Sequence, residues 1–297
     1  MMSVAATTPL WAAATLLLDE RGRDFFRRRD KVLKTFDPEA IHDLRVASRR
    51  LREGLLLFAP CYPGDALAWV LKKSRKVTRL LGDIRNSDEA ALFFATLRDE
   101  LDDACHADLS RLVAAFREER TDELEQLEAG LQKLTSTKMR ERFQRTVDNP
   151  SLLAPLPGGV DPFVPLVDFA RESFDARLGD VLQLVPEARR PEHSEAQHRM
   201  RIAVKHYRYR LEILSALLEP GYPELHAAVK GYQDVLGKMH DLDVFAGICR
   251  AATFCPPTAE LVPAAIAAKR EQLFAVFAGM LEVSPFEQIG ARVRGAL

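Results

Sequence analysis

The chain has 297 residues, 47% of them hydrophobic, and a formal net charge of -1. That is enough apolar material for a substantial core, built as one large domain or as two halves, and the near-neutral balance argues against a protein that coats nucleic acid through overall basicity. Its four cysteines, Cys61, Cys105, Cys249 and Cys255, form no Cys-x-x-Cys pair and no metal-finger spacing, so they read as scattered reduced thiols and point to the cytoplasm.

Residues 10–18, Leu-Trp-Ala-Ala-Ala-Thr-Leu-Leu-Leu, form an apolar run with no Lys or Arg before it. The run is too short to span a bilayer and lacks the basic start of a secretory signal. It is expected to be the core face of a first helix that continues into the charged stretch from Asp19. Periodicities of 3.6 residues, rich in Ala, Leu, Arg and Glu, dominate the remainder and predict an all-α, soluble protein.

The next segment is His42-Asp-Leu-Arg45-Val-Ala-Ser-Arg49-Arg50-Leu-Arg52-Glu-Gly-Leu55-Leu-Leu-Phe58. At about 100° per residue, His42, Arg45, Arg49 and Arg52 fall in a stripe roughly 80° wide, opposite Leu44, Ala47, Leu51, Leu55 and Phe58. The turn Pro60-Cys-Tyr-Pro63 ends this helix. The following helix carries Lys72, Arg75, Lys76 and Arg79 on one side and Leu67, Val70, Val77 and Leu81 on the other. From Trp69 to Arg79 there are five positive charges and no acid, which weakens a reading of self-paired surface charge. After Leu81-Gly82 come Arg85-Asn86-Ser87-Asp88, short polar side chains that suit a helix start or a kink. Two other basic clusters, at residues 21–34 and 138–145, contain acids such as Asp24, Asp30 and Glu141, and read as solvated faces.

Residues 149–165 hold five prolines and two adjacent glycines, and mark a linker. Beyond it the scheme returns, 156 residues after the first: His198-Arg-Met-Arg201-Ile-Ala-Val-Lys205-His206-Tyr-Arg208-Tyr209-Arg-Leu211-Glu212-Ile-Leu214. His198, Arg201, Lys205 and Arg208 repeat the stripe, with Met200, Ala203, Tyr207, Leu211 and Leu214 opposite. Pro220-Gly-Tyr-Pro223, Leu236-Gly237 and His240-Asp241-Leu-Asp243 then follow in the same order as their counterparts. This points to an internal duplication, with a first half at 1–149, a linker at 150–165, a second half at 166–297 and about four helices per half in bundles. The second-half counterpart of the Lys72 helix retains only Lys230, so any binding surface is expected to be lopsided toward the first half.

A stripe of this kind spans ten residues, about 15 Å of helix, and suits a linear polyanion. Arginine offers a planar fork for phosphate oxygens, lysine a compact charge and histidine a switchable donor. The competing structural reading, a solvated face of paired charges, is weakened by the nearly all-cationic stripe and its recurrence.

These motifs resemble the CHAD family, the conserved histidine α-helical domain. The resemblance covers nearly the whole chain and rests on the two His-x-x-Arg-(Val/Ile)-Ala-x-(Arg/Lys) helices, Arg208-Tyr209 with Glu212, and the two Leu-Gly motifs followed by Asp88 or by Asp241-Leu-Asp243. It implies two four-helix bundles related by approximate two-fold symmetry, a basic central groove, and binding of inorganic polyphosphate. The implied binding positions are His42, Arg45, Arg49, Arg50, Arg52, His198, Arg201, Lys205 and Arg208, supported by Lys72, Arg75, Lys76 and Arg79. Tyr209, Glu212, Asp88, Asp241 and Asp243 are then expected to position the cations, as caps or salt-bridge partners. Asn86, where the family has Asp, and His206, where the first copy has Arg50, depart from the pattern.

No catalytic residue, cofactor or metal is expected. The triphosphate-tunnel signature Glu-x-Glu-x-Lys is approached only by Glu123-Leu-Glu125-Gln-Leu127, which ends in leucine, and no carboxylate cluster resembles a two-metal phosphoryl-transfer site. Metal chelation by His42, His198, His206 and His240 is disfavoured by the surrounding arginines. A phosphate-chain-processing enzyme and a nucleic-acid-binding protein are the alternatives. Polyphosphate granules or a polyphosphate-metabolising enzyme are the partners this reading suggests, with no membrane.

Overall fold

The computed structural model describes residues 4–152 and 160–297. Among them the regular structure is helical and no strand is present, as the periodicities predict. The helices are α1 (Leu10–Thr35), α2 (Pro38–Leu57), α3 (Gly64–Glu100), α4 (His106–Ser136), α5 (Met139–Val147), α6 (Leu166–Leu182), α7 (Val185–Ala188), α8 (Ser194–Ile213), α9 (Tyr222–Ala251), α10 (Pro256–Val283) and α11 (Phe286–Ala296). No helix among the described residues is long and apolar enough to cross a membrane.

The described residues divide into two compact units. One takes those within Met1–Glu89 and Phe116–Phe169, the other Ala90–Ala115 and Ala170–Leu297. Of the proline-rich segment at 150–165, residues 153–159 lie outside the described residues, and the rest belongs to the first unit. There the Ser151 amide donates to the Cys61 carbonyl at 2.9 Å, and the Leu10 amide donates to the Val164 carbonyl at 2.9 Å.

In the first unit the apolar run at 10–18 is the inner face of α1: Leu10, Ala13, Ala14 and Leu18 are fully buried. The turn into α2 is built locally. Phe36 takes the left-handed conformation (φ 48°) that closes α1, Asp37 accepts the Ala40 amide at 2.8 Å, and Pro38 stands at the first helical position, where a missing N–H costs nothing. Phe25 and Phe26 of α1 and Leu44, Leu51 and Leu55 of α2 are buried in the core of this unit. Helix α5 seals this core with Phe143, whose ring meets Phe26 edge-on at 5.8 Å and lies over Gly22, where an added Cβ would overlap it.

In the second unit α6, α8, α9, α10 and α11 enclose an aromatic cluster. Tyr207 packs against Phe174 at 5.6 Å and Phe286 at 5.2 Å, and Tyr232 meets Phe286 at 5.3 Å. Phe93 from α3 stacks on Phe245 of α9 at 4.4 Å. The Asp108 carboxylate of α4 accepts the Cys255 amide at 2.7 Å, which caps the start of α10. The two buried tyrosines differ in a testable way. The Tyr232 hydroxyl lies 2.8 Å from both the Met280 and Ser284 carbonyls, whereas the Tyr207 hydroxyl is buried with no hydrogen-bond partner among the described residues. Because an unmade buried hydrogen bond costs about 1–3 kcal/mol and a made one contributes about 1 kcal/mol, urea unfolding is expected to show Tyr207→Phe more stable than wild type and Tyr232→Phe less stable.

All four cysteines are free. Burial pushes the Cys61 thiol up to about 12 and the Cys249 thiol up to about 11, which keeps both protonated and unreactive at neutral pH.

Candidate functional site

Helices α2 and α3 carry the first cationic face. The apolar side of α2 is buried as its period requires, at Leu44, Ala47, Leu51 and Leu55, with Phe58 just beyond. On α3, Leu67, Val70, Val77 and Leu81 are buried while Lys72, Arg75, Lys76 and Arg79 are exposed. The two helices are joined between these faces by a Thr78 to Ser48 hydroxyl hydrogen bond of 3.2 Å.

The α2 cations are graded in exposure. His42 and Arg50 are exposed, Arg49 and Arg52 half-buried, and Arg45 buried. Arg52 is tied to Glu53, itself 2% exposed, at 3.2 Å, and its Nε is buried without a hydrogen-bond partner among the described residues. Arg45 and Arg50 also have partners within the fold. By contrast, among the described residues His42, Arg49, Lys72, Arg75, Lys76 and Arg79 make no ion pair or side-chain hydrogen bond. In the cationic clusters at 21–34 and 138–145 the arginines beside the interspersed acids are paired, Arg23 with Asp19, Arg27 and Arg28 with Asp24, and Arg29 and Arg140 with Asp30, while Lys34, Lys138 and Arg145 make no ion pair among the described residues.

The second face lies on α8 and α9. Met200, Ala203, Tyr207, Leu211 and Leu214 are buried, and His198, Arg201, Lys205, His206 and Arg208 are half-buried. Arg201, Lys205 and His206 have partners within the fold. Arg208 is fixed on two sides: it donates to Glu212 at 3.0 Å and lies over the buried Tyr209 ring at 5.0 Å. Glu212, 8% exposed, also accepts from His226 at 3.2 Å. The Tyr209 ring and the Glu212 carboxylate thus hold one stripe arginine in place.

His198 contacts His240 of α9, Nδ1 to Nδ1, at 2.9 Å. Burial and then the cations Arg201 and Lys205 lower the His198 pKa. For His240, burial, then Arg201, then His198 push it down to about 4.

Two of the acids are salt-bridge partners of arginines outside the stripes and do not cap helices. Asp88 pairs with Arg120 of α4, and Asp243 with Arg270 of α10 at 3.1 Å; neither binds a stripe arginine. Asp241 is half-buried and has a partner within the fold. The polar quartets that contain them do not begin or interrupt helices, because α3 and α9 run through both positions. Their carboxylates find guanidinium groups on the neighbouring helix and so have no need of the backbone N–H groups at a helix start. Arg120, Arg270, Glu53 and His226 are invisible to a periodicity read along one helix, since each acts on or from another position. His240, weighed from sequence only as a conceivable metal ligand, contacts His198 of the second face.

The CHAD domain model matches residues 16–250. Two solved structures are similar over most of the chain. The crystal structure of the CHAD domain from the plant Ricinus communis is 23% identical, with a TM-score of 0.59 over 99% of this chain and 94% of that one. PptA from Streptomyces chartreusis is 16% identical, with a TM-score of 0.68 over 93% of this chain and 100% of that one. At these identities the likeness concerns the fold. No curated protein matches the chain. With an all-helical architecture and a family match over most of its length, the chain belongs to the CHAD domain family.

Proposed function

We propose that this protein binds inorganic polyphosphate through its cationic helix faces and does not turn it over. The observation that carries the reading is the partnerless set on the first face: His42, Arg49, Lys72, Arg75, Lys76 and Arg79, uncompensated in a chain whose net charge is -1. Cations gathered on one exposed face with no acid among them favour an external anion. Guanidinium forks at successive helical turns suit a repeating row of phosphate oxygens. The second face carries His198, Arg201, Lys205 and the anchored Arg208, each of which has a partner within the fold.

Binding without turnover is favoured because the acids nearest the faces are occupied by arginines and, among the described residues, no three His, Cys, Asp or Glu stand together as a metal site. Colorimetric release of phosphate by the purified protein would speak against it. Nucleic acid offers the same phosphate chemistry, and competition decides between them. Long-chain polyphosphate is expected to displace single-stranded RNA at far lower phosphate concentration than the reverse; equal or stronger competition by RNA would make nucleic acid the ligand. A polyphosphate-metabolising enzyme or cytoplasmic polyphosphate granules are the partners proposed on this reading.

A further inference from the structure

Between α8 and α9 two imidazoles meet nitrogen to nitrogen. His198 Nδ1 and His240 Nδ1 are 2.9 Å apart, with ring centroids 4.1 Å apart and planes inclined at 39°. Two ring nitrogens at this distance need one proton on the line between them, donated by one ring and accepted by the lone pair of the other. Two neutral rings meet that requirement in opposite tautomers. An imidazolium beside a neutral ring meets it equally well, and two imidazolium rings do not. The pair is therefore built to accommodate one additional proton.

The groups that face the pair decide whether that proton is held. From α8 these are Arg201, Lys205 and Glu195, and from α9 Asp243, whose charge is shared with Arg270 of α10. With no ligand, burial and the two cations outweigh the acids and keep the pair neutral near pH 7. An anion lying on Arg201 and Lys205 cancels their repulsion and adds an attraction for positive charge.

Building on the polyphosphate reading, we propose that the His198–His240 pair is a proton-coupled part of the anion site. Seating a polyphosphate segment on Arg201 and Lys205 draws one proton from solvent onto the pair, so binding tightens as pH falls. In balance, the neutral pair, a solvent proton and the polyanion give a bound polyanion beside an imidazolium–imidazole pair, with no covalent bond to phosphorus made or broken. His240, which no helical period places in the stripe, thereby becomes a contributor of positive charge to the second face.

The direction follows from linkage. The free pair binds its proton only below the ordinary imidazole range, because burial with Arg201 and Lys205 lowers His198 and burial with Arg201 and His198 lowers His240 further, and the occupied pair binds it at higher pH. Between those limits the complex carries more protons than its free components, and affinity climbs as pH falls, toward a limit of about tenfold per pH unit for one proton. Above the window neither state holds the proton and affinity is level. Internal phosphates of a long chain keep their single charge throughout, so the slope belongs to the protein.

The test is calorimetry of the full chain with long-chain polyphosphate at about pH 6, near the ordinary imidazole range, in two buffers of different ionisation enthalpy. Wild type is expected to take up close to one proton more per complex than a variant combining His198→Asn with His240→Asn, which leaves no imidazole at the contact. The rise in affinity from about pH 8 to about pH 6 should be correspondingly shallower in the variant. Thermal unfolding checks that the variant is folded, and His198→Gln with His240→Gln replaces it if it is not. Binding with equal proton uptake in wild type and a folded variant overturns the proposal and leaves polyphosphate binding standing. Absence of binding by wild type at every pH overturns the polyphosphate reading, and the proton coupling with it.

Discussion

Replacing Lys72, Arg75, Lys76 and Arg79 together by glutamine is expected to weaken long-chain polyphosphate binding by about 1,000-fold near 0.1 M salt, at roughly 1 kcal/mol for each cation close to an anionic array. The change should leave the fold intact. All four side chains are exposed and have no ion pair or side-chain hydrogen bond among the described residues, so their removal breaks nothing within the protein. Surface substitutions of this kind fall within about 0.5 kcal/mol of wild type. The salt dependence should change as well: losing four phosphate contacts flattens the slope of log affinity against log salt by about 3. Arg27→Gln serves as the control, because that guanidinium is already paired with Asp24 at 2.6 Å, and its loss should leave affinity nearly unchanged. A fourfold variant that binds as well as wild type, with an unaltered slope, would remove the first face from the site.

Glu212→Ala is expected to act on stability instead, by about 3–5 kcal/mol, the range for breaking a buried ion pair from one side. Glu212 is 8% exposed and joins Arg208 of its own helix to His226 of α9. Without it a guanidinium 16% exposed, with its Nε already unpartnered, is left without its carboxylate in a mostly dry setting. For a unit of this size the loss corresponds to a fall in Tm of about 10 °C. Glu212→Gln, which keeps an acceptor, should cost less. The double variant Arg208→Leu with Glu212→Leu should recover much of the loss, because two apolar side chains pack where two charges had to be desolvated. If Glu212→Ala unfolds at the wild-type temperature, the carboxylate is not an anchor and Arg208 is free to reorient.

The difference between these two expected results shows which parts of the protein can be read along the chain. Helix α2 could be read almost completely, because one period separates Leu44, Leu51 and Leu55 from Arg49 and Arg52, and the burial follows that period. The same holds for α3, where Lys72 to Arg79 face away from Val70, Val77 and Leu81. Burial of Arg45 and the pairing of Arg52 with Glu53 were not legible. A stripe fixes direction around a helix axis, not the depth to which neighbouring helices cover it. Asp88 and Asp243 misled for a related reason: short polar residues read locally as helix starts, and only the approach of α4 and α10 supplies Arg120 and Arg270. The His198–His240 contact joins residues 42 positions apart, so it depends on the register of α8 against α9, which periodicity within either helix does not set.

The most direct measurement is the affinity of the full chain for long-chain polyphosphate as a function of salt. Six cations and imidazoles without partners on the first face, at about 0.7 of a counterion released per contact, predict a straight line of log affinity against log salt with a slope of about -4. An affinity that does not respond to salt, or no binding at low salt, would contradict the assignment of these helices to a polyanion.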